Sequence, residues 1–265
     1  GRGGGEGTGP PPPRRAPARP ARGQAMMHEQ PGRDALNERF KASHPRDIMA
    51  YACEYFGGDI AISSSFGADS ACLLSLAVEV KPDIPVIFIN TGFHFPETLS
   101  FRDELVARLK LNLKEVGPAM GHAEFLKQYG KLYESDPDRC CEINKVEPLK
   151  RAMVGLRCWM SGVRADQTAY RQKMQFFEQK GEDFYKVSPL LGWSTKQVFD
   201  HIKASGLPMH PLWDKGYSSI GCEPCTAVPG DPGYPRSGRW KGKNKSECGI
   251  HTFLDKPAQA GEPAQ

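Results

Sequence analysis

The sequence predicts an α/β fold: a mostly parallel, twisted sheet with helices on both faces, followed by an irregular C-terminal tail. Three observations point to it. Short apolar runs alternate with helically spaced segments between about residue 34 and residue 210. One of those runs leads through a serine- and glycine-rich turn straight into a helix. Beyond Pro208 periodicity stops, and Pro, Gly, Trp and Tyr become dense.

The elements follow in order. Residues 59–66 form an apolar run ending in Ser and Gly, and read as a strand. Residues 69–80 have helical spacing, and 85–90 (PVIFIN) read as a buried strand. Pro-Glu opens a helix over 96–109. Alternation over 111–116 predicts a strand, and 123–129 a helix. A helix over 138–154 carries two adjacent cysteines. Strands are expected at 159–163 and 185–190, and a helix at 195–205. Strands alternating with helices make a parallel sheet, and such sheets bind ligands beyond the carboxyl ends of their strands.

Residues 1–33 differ from the rest, with Gly3 to Gly5, Pro10 to Pro13 and interspersed Ala and Arg. The segment cannot bury enough apolar surface to offset its ordering entropy, so disorder is expected. It is Arg-rich and acid-poor, which fits either an organelle transit peptide or a start upstream of the true one at Met26 or Met27. Its six arginines and two glutamates supply the whole formal charge of +4, leaving residues 34–265 neutral. A neutral folded part argues against a general polyanion binder, so no nucleic-acid partner is expected. No run of about 18 apolar residues exists, so no membrane span is expected either. Disorder is expected again over 253–265, leaving one domain at 34–252 with its tail at 208–252.

The stretch Ser63, Ser64, Ser65, Phe66, Gly67, Ala68, Asp69, Ser70 sits between a strand and a helix. Small residues there let backbone N–H groups approach an anion, and the helix N-terminus favours negative charge. Hydroxyls of Ser64, Ser65 and Ser70 can donate further bonds. The structural alternative is a serine-rich turn with Asp69 or Ser70 as helix cap. No Gly-Lys-Ser/Thr follows, so this is not a Walker loop. It resembles the Ser-Gly-Gly-x-Asp-Ser loop of adenine-nucleotide enzymes, with Phe66 for the first Gly, which is expected to narrow the room for a pyrophosphate.

Eight cysteines occur without a secretory signal, so metal or redox chemistry in a reducing compartment, the cytoplasm, is expected. Cys140 and Cys141 are adjacent, and Cys222 and Cys225 form Gly-Cys-Glu-Pro-Cys. Four thiolates suffice for one [4Fe–4S] cluster per chain; a zinc ion or a dithiol redox pair are the alternatives. Lys145 follows Cys141 by four residues, on the same helical face. Cys53, Cys72 and Cys158 lie in apolar surroundings and read as core residues. Arg236, Arg239, Lys241, Lys243 and Lys245 give five cations in ten residues, and Cys248 follows. Cations make a thiolate available and hold anionic oxygens, so Cys248 reads as a nucleophile; the plain alternative is a solvated basic tail.

Taken together, SSSFGADS, Ile89-Asn90-Thr91-Gly92, the run from Gly162 and Arg164 to Arg171, the two cysteine pairs and Glu247-Cys248-Gly249-Ile250-His251 resemble the assimilatory adenylyl-sulfate and phosphoadenylyl-sulfate reductase family over roughly 40–252. The resemblance implies an adenine nucleotide alpha-hydrolase-like fold. It implies that Ile89 to Gly92 line an adenine pocket, although Asn90 stands where Asp is frequent. It places the nucleotide between loop 63–70 and the Arg164/Arg171 segment, and the phosphosulfate against Lys145, Arg236 and Arg239; His251, three positions after Cys248, reads as tuning that thiol or contacting substrate. Cys248 would form an S-sulfonate, and thioredoxin or glutaredoxin would release sulfite. A fused thioredoxin-like domain, known in the plant type, is not seen after His251, so an outside reductant is expected. Paired cysteines imply adenosine 5′-phosphosulfate as substrate; its 3′-phosphorylated form and an ATP-dependent tRNA thiolation enzyme are the other readings. The tail is expected to move, since Cys248 has to meet a protein reductant.

Overall fold

A computed structural model describes residues 32–231 and 234–255. The expectations for residues 1–31 and 256–265 lie outside this range. Residue 33, expected in the disordered segment, opens a helix, and residues 253–255, expected in the disordered tail, form a turn of 3-10 helix.

Among the described residues two helices come first, α1 (Arg33–Phe40) and α2 (Pro45–Phe56), both outside the elements expected from sequence. Strand β1 (Ile60–Ser63) leads to α3 (Ser70–Val80), β2 (Pro85–Ile89) to α4 (Pro96–Leu109), and β3 (Asn112–Val116) to α5 (His122–Tyr129). Then come α6 (Leu132–Ser135), α7 (Pro137–Cys141), a π-helical turn (Glu142–Val146) and α8 (Glu147–Ala152). The long cysteine-bearing helix expected over 138–154 is therefore interrupted by a wide turn at its centre. Strands β4 (Cys158–Ser161), β5 (Phe177–Gln179) and β6 (Tyr185–Val187) precede α9 (Thr195–Ala204). Ser194 and Gln197 cap α9 reciprocally.

Among the described residues the strands form one sheet in the order β3-β2-β1-β4-β6-β5. All neighbours are parallel except β5, the short edge strand missed in the sequence, which pairs antiparallel with β6. Side chains alternate between faces along each strand. Ile60, Ile62, Val86, Phe88, Cys158, Met160 and Val187 face the main core, built with α2, α3 and α9. Ala61, Ile87 and Trp159 face the other way, against Leu149 and Met153 of the α8 segment and against Ile250 and Phe253 of the tail. Helices thus cover both faces, and the tail completes the second cover. The order reverses at β1, so the crevice beyond the ends of β1 and β4 is the topological switch point, where ligands bind on open α/β sheets.

Candidate active site

A cavity of about 200 Å³ opens at that switch point. Its floor is the carboxyl ends of β1, β2 and β4, through Ser63, Ile89, Ser161 and Gly162. Of the expected site residues, Ser63, Ser64, Ser65, Gly67, Ser70, Lys145, Gly162, Arg171, Cys222, Arg236, Arg239, Cys248 and His251 all line it. Residues separated by most of the chain are thereby brought to one space.

The loop after β1 turns tightly: Ser64 Oγ accepts the Phe66 N–H at 3.1 Å, and Ser70 N–H reaches the Gly67 carbonyl at 3.1 Å. Phe66 adopts φ 50°, a left-handed conformation uncommon for an aromatic residue. That turn drives its ring into the core, edge-on to Phe88 at 5.4 Å. The ring therefore does not line the cavity, and the expected narrowing by Phe66 does not occur. The alternative of an Asp69 cap fails too: its carboxylate makes no capping bond and instead accepts from Gln167 Nε2 at 2.9 Å. Burial raises the Asp69 carboxyl, with nearby Arg164 opposing.

Asn90, Thr91, Gly92 and Arg164 stand outside the cavity lining. Asn90 donates to Glu115 Oε1 at 2.9 Å and accepts the Gly92 N–H at 3.0 Å, which shapes the turn after β2. Thr91 Oγ1 lies 3.4 Å from Cys222 Sγ, so it faces the cysteines. Arg164, 4% exposed, lies behind the loop and joins Asp69, Asp166 and Thr195. Gln167, which the sequence reading left unassigned, lines the cavity in its place.

All four paired cysteines line a second, small cavity, and Lys145, Cys222 and Trp240 line both it and the first. An antiparallel bridge between His94 and Cys222, and the Glu223 N–H to the Phe93 carbonyl at 2.7 Å, hold the Cys-x-x-Cys turn against the segment after β2. Among the described residues no set of three or more His, Cys, Asp or Glu side chains converges as a site for one metal ion. Burial pushes Cys140 up to about 11 and Cys141 up to about 12. Burial acts the same way on Cys222, but the Lys145 charge and the Thr91 hydrogen bond outweigh it and lower its thiol. Lys145 is raised: burial opposes its charge, and Cys222, Cys248 and Cys141 more than compensate. The donor set of four thiols around one space fits an iron–sulfur cluster, whose ligands go to separate irons. Cys72 and Cys158 are fully buried core residues as expected, and Cys53 is half-buried.

The tail returns across the second face of the sheet. Glu247 is bound by Arg171 through two bonds, Nε–Oε1 at 2.7 Å and Nη2–Oε2 at 2.9 Å, and accepts from Thr168 Oγ1 at 2.9 Å. Burial would raise its carboxyl, but Arg171 holds it below the usual range. Cys248 follows, half-buried, at the cavity wall. His251 stacks on Trp159 with ring centroids 5.5 Å apart and planes 3° from parallel, and burial keeps its imidazole well below its ordinary value. Trp159 in turn donates its Nε1–H to Ser63 Oγ at 2.8 Å, joining the loop to the tail. Arg236 reaches the Ser246 carbonyl at 2.9 Å. Burial, reinforced by Arg171, lowers its guanidinium to about 10. The Arg239 guanidinium lies over the Trp240 ring at 4.6 Å and against Gly221, where a Cβ would come within 2.0 Å of it. Lys243 and Lys245 are tied to the Glu134 carbonyl and to Asp138. The basic stretch is therefore a docked element: Arg236 and Arg239 turn into the cavity, and two of its lysines fasten it to α6 and α7.

The Phosphoadenosine phosphosulfate reductase domain matches residues 59–228. The chain belongs to this family. A phosphoadenosine 5′-phosphosulfate reductase of Gloeobacter violaceus is 42% identical over 86% of this chain and 96% of its own length. An adenosine 5′-phosphosulfate reductase of Mesorhizobium japonicum is also 42% identical, over 83% of this chain and 86% of its own. The phosphoadenylyl-sulfate reductase of Candida auris, solved as a phosphate complex, superposes with a TM-score of 0.65 at 28% identity, covering 73% of this chain and 95% of that one. An FMN adenylyltransferase of Candida glabrata shares the fold at a TM-score of 0.53 and 16% identity. The adenine nucleotide alpha-hydrolase-like architecture of this reductase family accordingly holds for the chain. Residues at the site to which the sequence gives no role of their own are His94, Gln167, Trp240 and Glu247. Gln167 and Glu247 stand inside the visible motifs, but their partners, like that of His94, lie across the fold.

Proposed function

We propose that this chain reduces adenosine 5′-phosphosulfate to sulfite and AMP, with Cys248 as nucleophile and thioredoxin as reductant, in sulfate assimilation. The observation that carries the reading is that Cys248 opens into the same cavity as the serine loop, Lys145, Arg171, Arg236 and Arg239. The Cys248 thiolate attacks the sulfate sulfur, an S–S bond forms, and the bond from sulfur to the phosphate oxygen breaks. AMP leaves with that electron pair, and the surrounding cations stabilise its developing charge. The Cys248 S-sulfonate is then attacked at the cysteine sulfur by a thioredoxin thiolate, and sulfite leaves with the S–S electron pair. The second thiol of thioredoxin displaces Cys248, so the two electrons come from the dithiol. Glutaredoxin has the same chemistry and is the alternative donor.

Cys140, Cys141, Cys222 and Cys225 would hold one [4Fe–4S] cluster. When bound, it would supply fixed charge beside Lys145 and tie the α7 segment to the 222–225 turn. The thiols lie around a space and do not converge on a point, which favours a polynuclear cluster over one zinc ion. All eight cysteines are unpaired, as suits a reducing compartment such as the cytoplasm. Among the described residues no helix is long and apolar enough to cross a membrane.

Relatives of equal identity carry both substrate names, so the choice of adenosine 5′-phosphosulfate rests on the paired cysteines. The test is sulfite release from oxygen-free protein with thioredoxin, comparing the two nucleotides and including Cys248→Ser. Sulfite from adenosine 5′-phosphosulfate, abolished in C248S, is the expected outcome. A preference for the 3′-phosphorylated form would move the substrate to the second reading. No sulfite from either nucleotide would overturn both.

A further inference from the structure

Lys186 is 0% exposed in the middle of β6, yet none of the steps above uses it. Burying an ammonium is costly unless partners offset it, and a methionine of similar length would fill the space without that cost. Lys186 therefore stands out as a charge with a task. It lies on the tail-facing side of the sheet, in a cross-strand row running Ala61, Trp159, Lys186, Glu178. Its Nζ lies 5.6 Å over the Trp159 ring, 3.5 Å from Glu178 Oε2 and 3.4 Å from the His251 carbonyl oxygen. The other Glu178 oxygen is taken by Lys180 at 3.1 Å.

That carbonyl has a second neighbour, the Tyr170 hydroxyl at 2.9 Å. The same hydroxyl contacts the Asp255 carboxylate, and it has one proton to give. An ionised carboxylate is the stronger acceptor. The donor left to the His251 carbonyl is then the Lys186 ammonium. On the other side of Cys248, Glu247 is gripped by Arg171. The nucleophile thus lies on a short arc anchored at both ends by buried cations standing on the folded scaffold.

We propose that Lys186 is a positioning residue for Cys248: its buried ammonium, held by Glu178, grips the His251 carbonyl and keeps the arc 247–251 at the cavity. The consequence for the reaction rests on Cys248 being the nucleophile; the grip itself does not. The test uses the full chain, purified without oxygen, and compares wild type with Lys186→Met and Glu178→Gln. Amide deuterium uptake over residues 247–255 is read beside sulfite kinetics. K186M is expected to take up deuterium about threefold faster or more in 247–255, with β1 and β4 as protected as in wild type. Its kcat is expected to fall about tenfold with KM little changed, because the cavity that binds substrate is intact and the nucleophile is misplaced. Wild-type uptake in 247–255, or faster uptake spread evenly over the molecule, would overturn the proposal. Should K186M fail to fold, E178Q decides by the same uptake readout, with a smaller increase expected and no increase overturning it. If wild type makes no sulfite at all, the reading of Cys248 fails, and uptake over 247–255 still decides the grip.

Discussion

At the scale of single residues, the site depends on pairs whose members are far apart in the chain. Glu247 and Arg171 are the clearest, with side chains 7% and 8% exposed. Glu247→Gln leaves the guanidinium buried without its counter-charge, which costs on the order of 3 kcal/mol. Sulfite formation should fall about tenfold or more as Cys248 loses its upstream anchor. Since Arg171 holds the folded carboxyl below its unfolded value near about 4.3, its stabilisation is complete above that pH and is lost as pH falls through the folded value. Urea midpoints of wild type and E247Q should therefore differ at neutral pH and converge in acid. Phe66 gives the opposite kind of test. Phe66→Gly removes the strain of φ 50° but also a ring that is 0% exposed, and a net loss of about 3 kcal/mol is expected in urea denaturation. Residue chemistry was only partly legible in the sequence. The serine loop, Lys145, Arg236, Arg239 and Cys248 announce themselves by type and neighbours, and all reach the cavity. Arg164 does not, because Asp69 and Thr195 draw it behind the loop, and no local pattern encodes those partners.

At the scale of elements, the strongly periodic or punctuated segments were readable. β2, α3, α4 and α9 fall within a residue or two of their expected ranges. β5 is three residues long and offers too little alternation to be seen. The π-helical turn at Glu142–Val146 is also silent in sequence, and it carries Asn144 and Lys145 to the cavities. Lys186 did leave a signal: a lysine within a strand buried on both faces has to meet a partner. Helix ends allow a direct test. Lys110 closes α4 in the left-handed region at φ 54°, ψ 45°, and is exposed. Lys110→Gly should relieve that conformation and stabilise the chain by about 0.5 kcal/mol, seen as a higher urea midpoint at unchanged slope.

At the scale of the whole molecule, acid sensitivity has a contributor remote from the cysteines, in addition to His94 and His251, whose imidazoles burial also lowers. His210, 1% exposed, accepts the Leu212 N–H on Nδ1 at 3.1 Å, so its Nε2 carries the proton and donates to Thr98 Oγ1 at 3.0 Å. Burial lowers its imidazole to about 4, with Glu97 opposing weakly. A folded value depressed below the unfolded one means that the stability is whole above about pH 6.5 and drains away toward pH 4. Wild type should lose on the order of 3 kcal/mol more than His210→Gln across that interval, measured by denaturant midpoints. The docked tail has a different consequence, one of timing. Its anchors reach back 76 residues to Arg171 and 65 to Lys186, and the surface that receives it is built from strands made earlier in the chain. During synthesis the strands through β6 and the Cys140–Cys141 pair are made while Cys248 has yet to leave the ribosome. On the reading of Cys248 as nucleophile, the surface that positions the thiol is therefore made before the thiol itself.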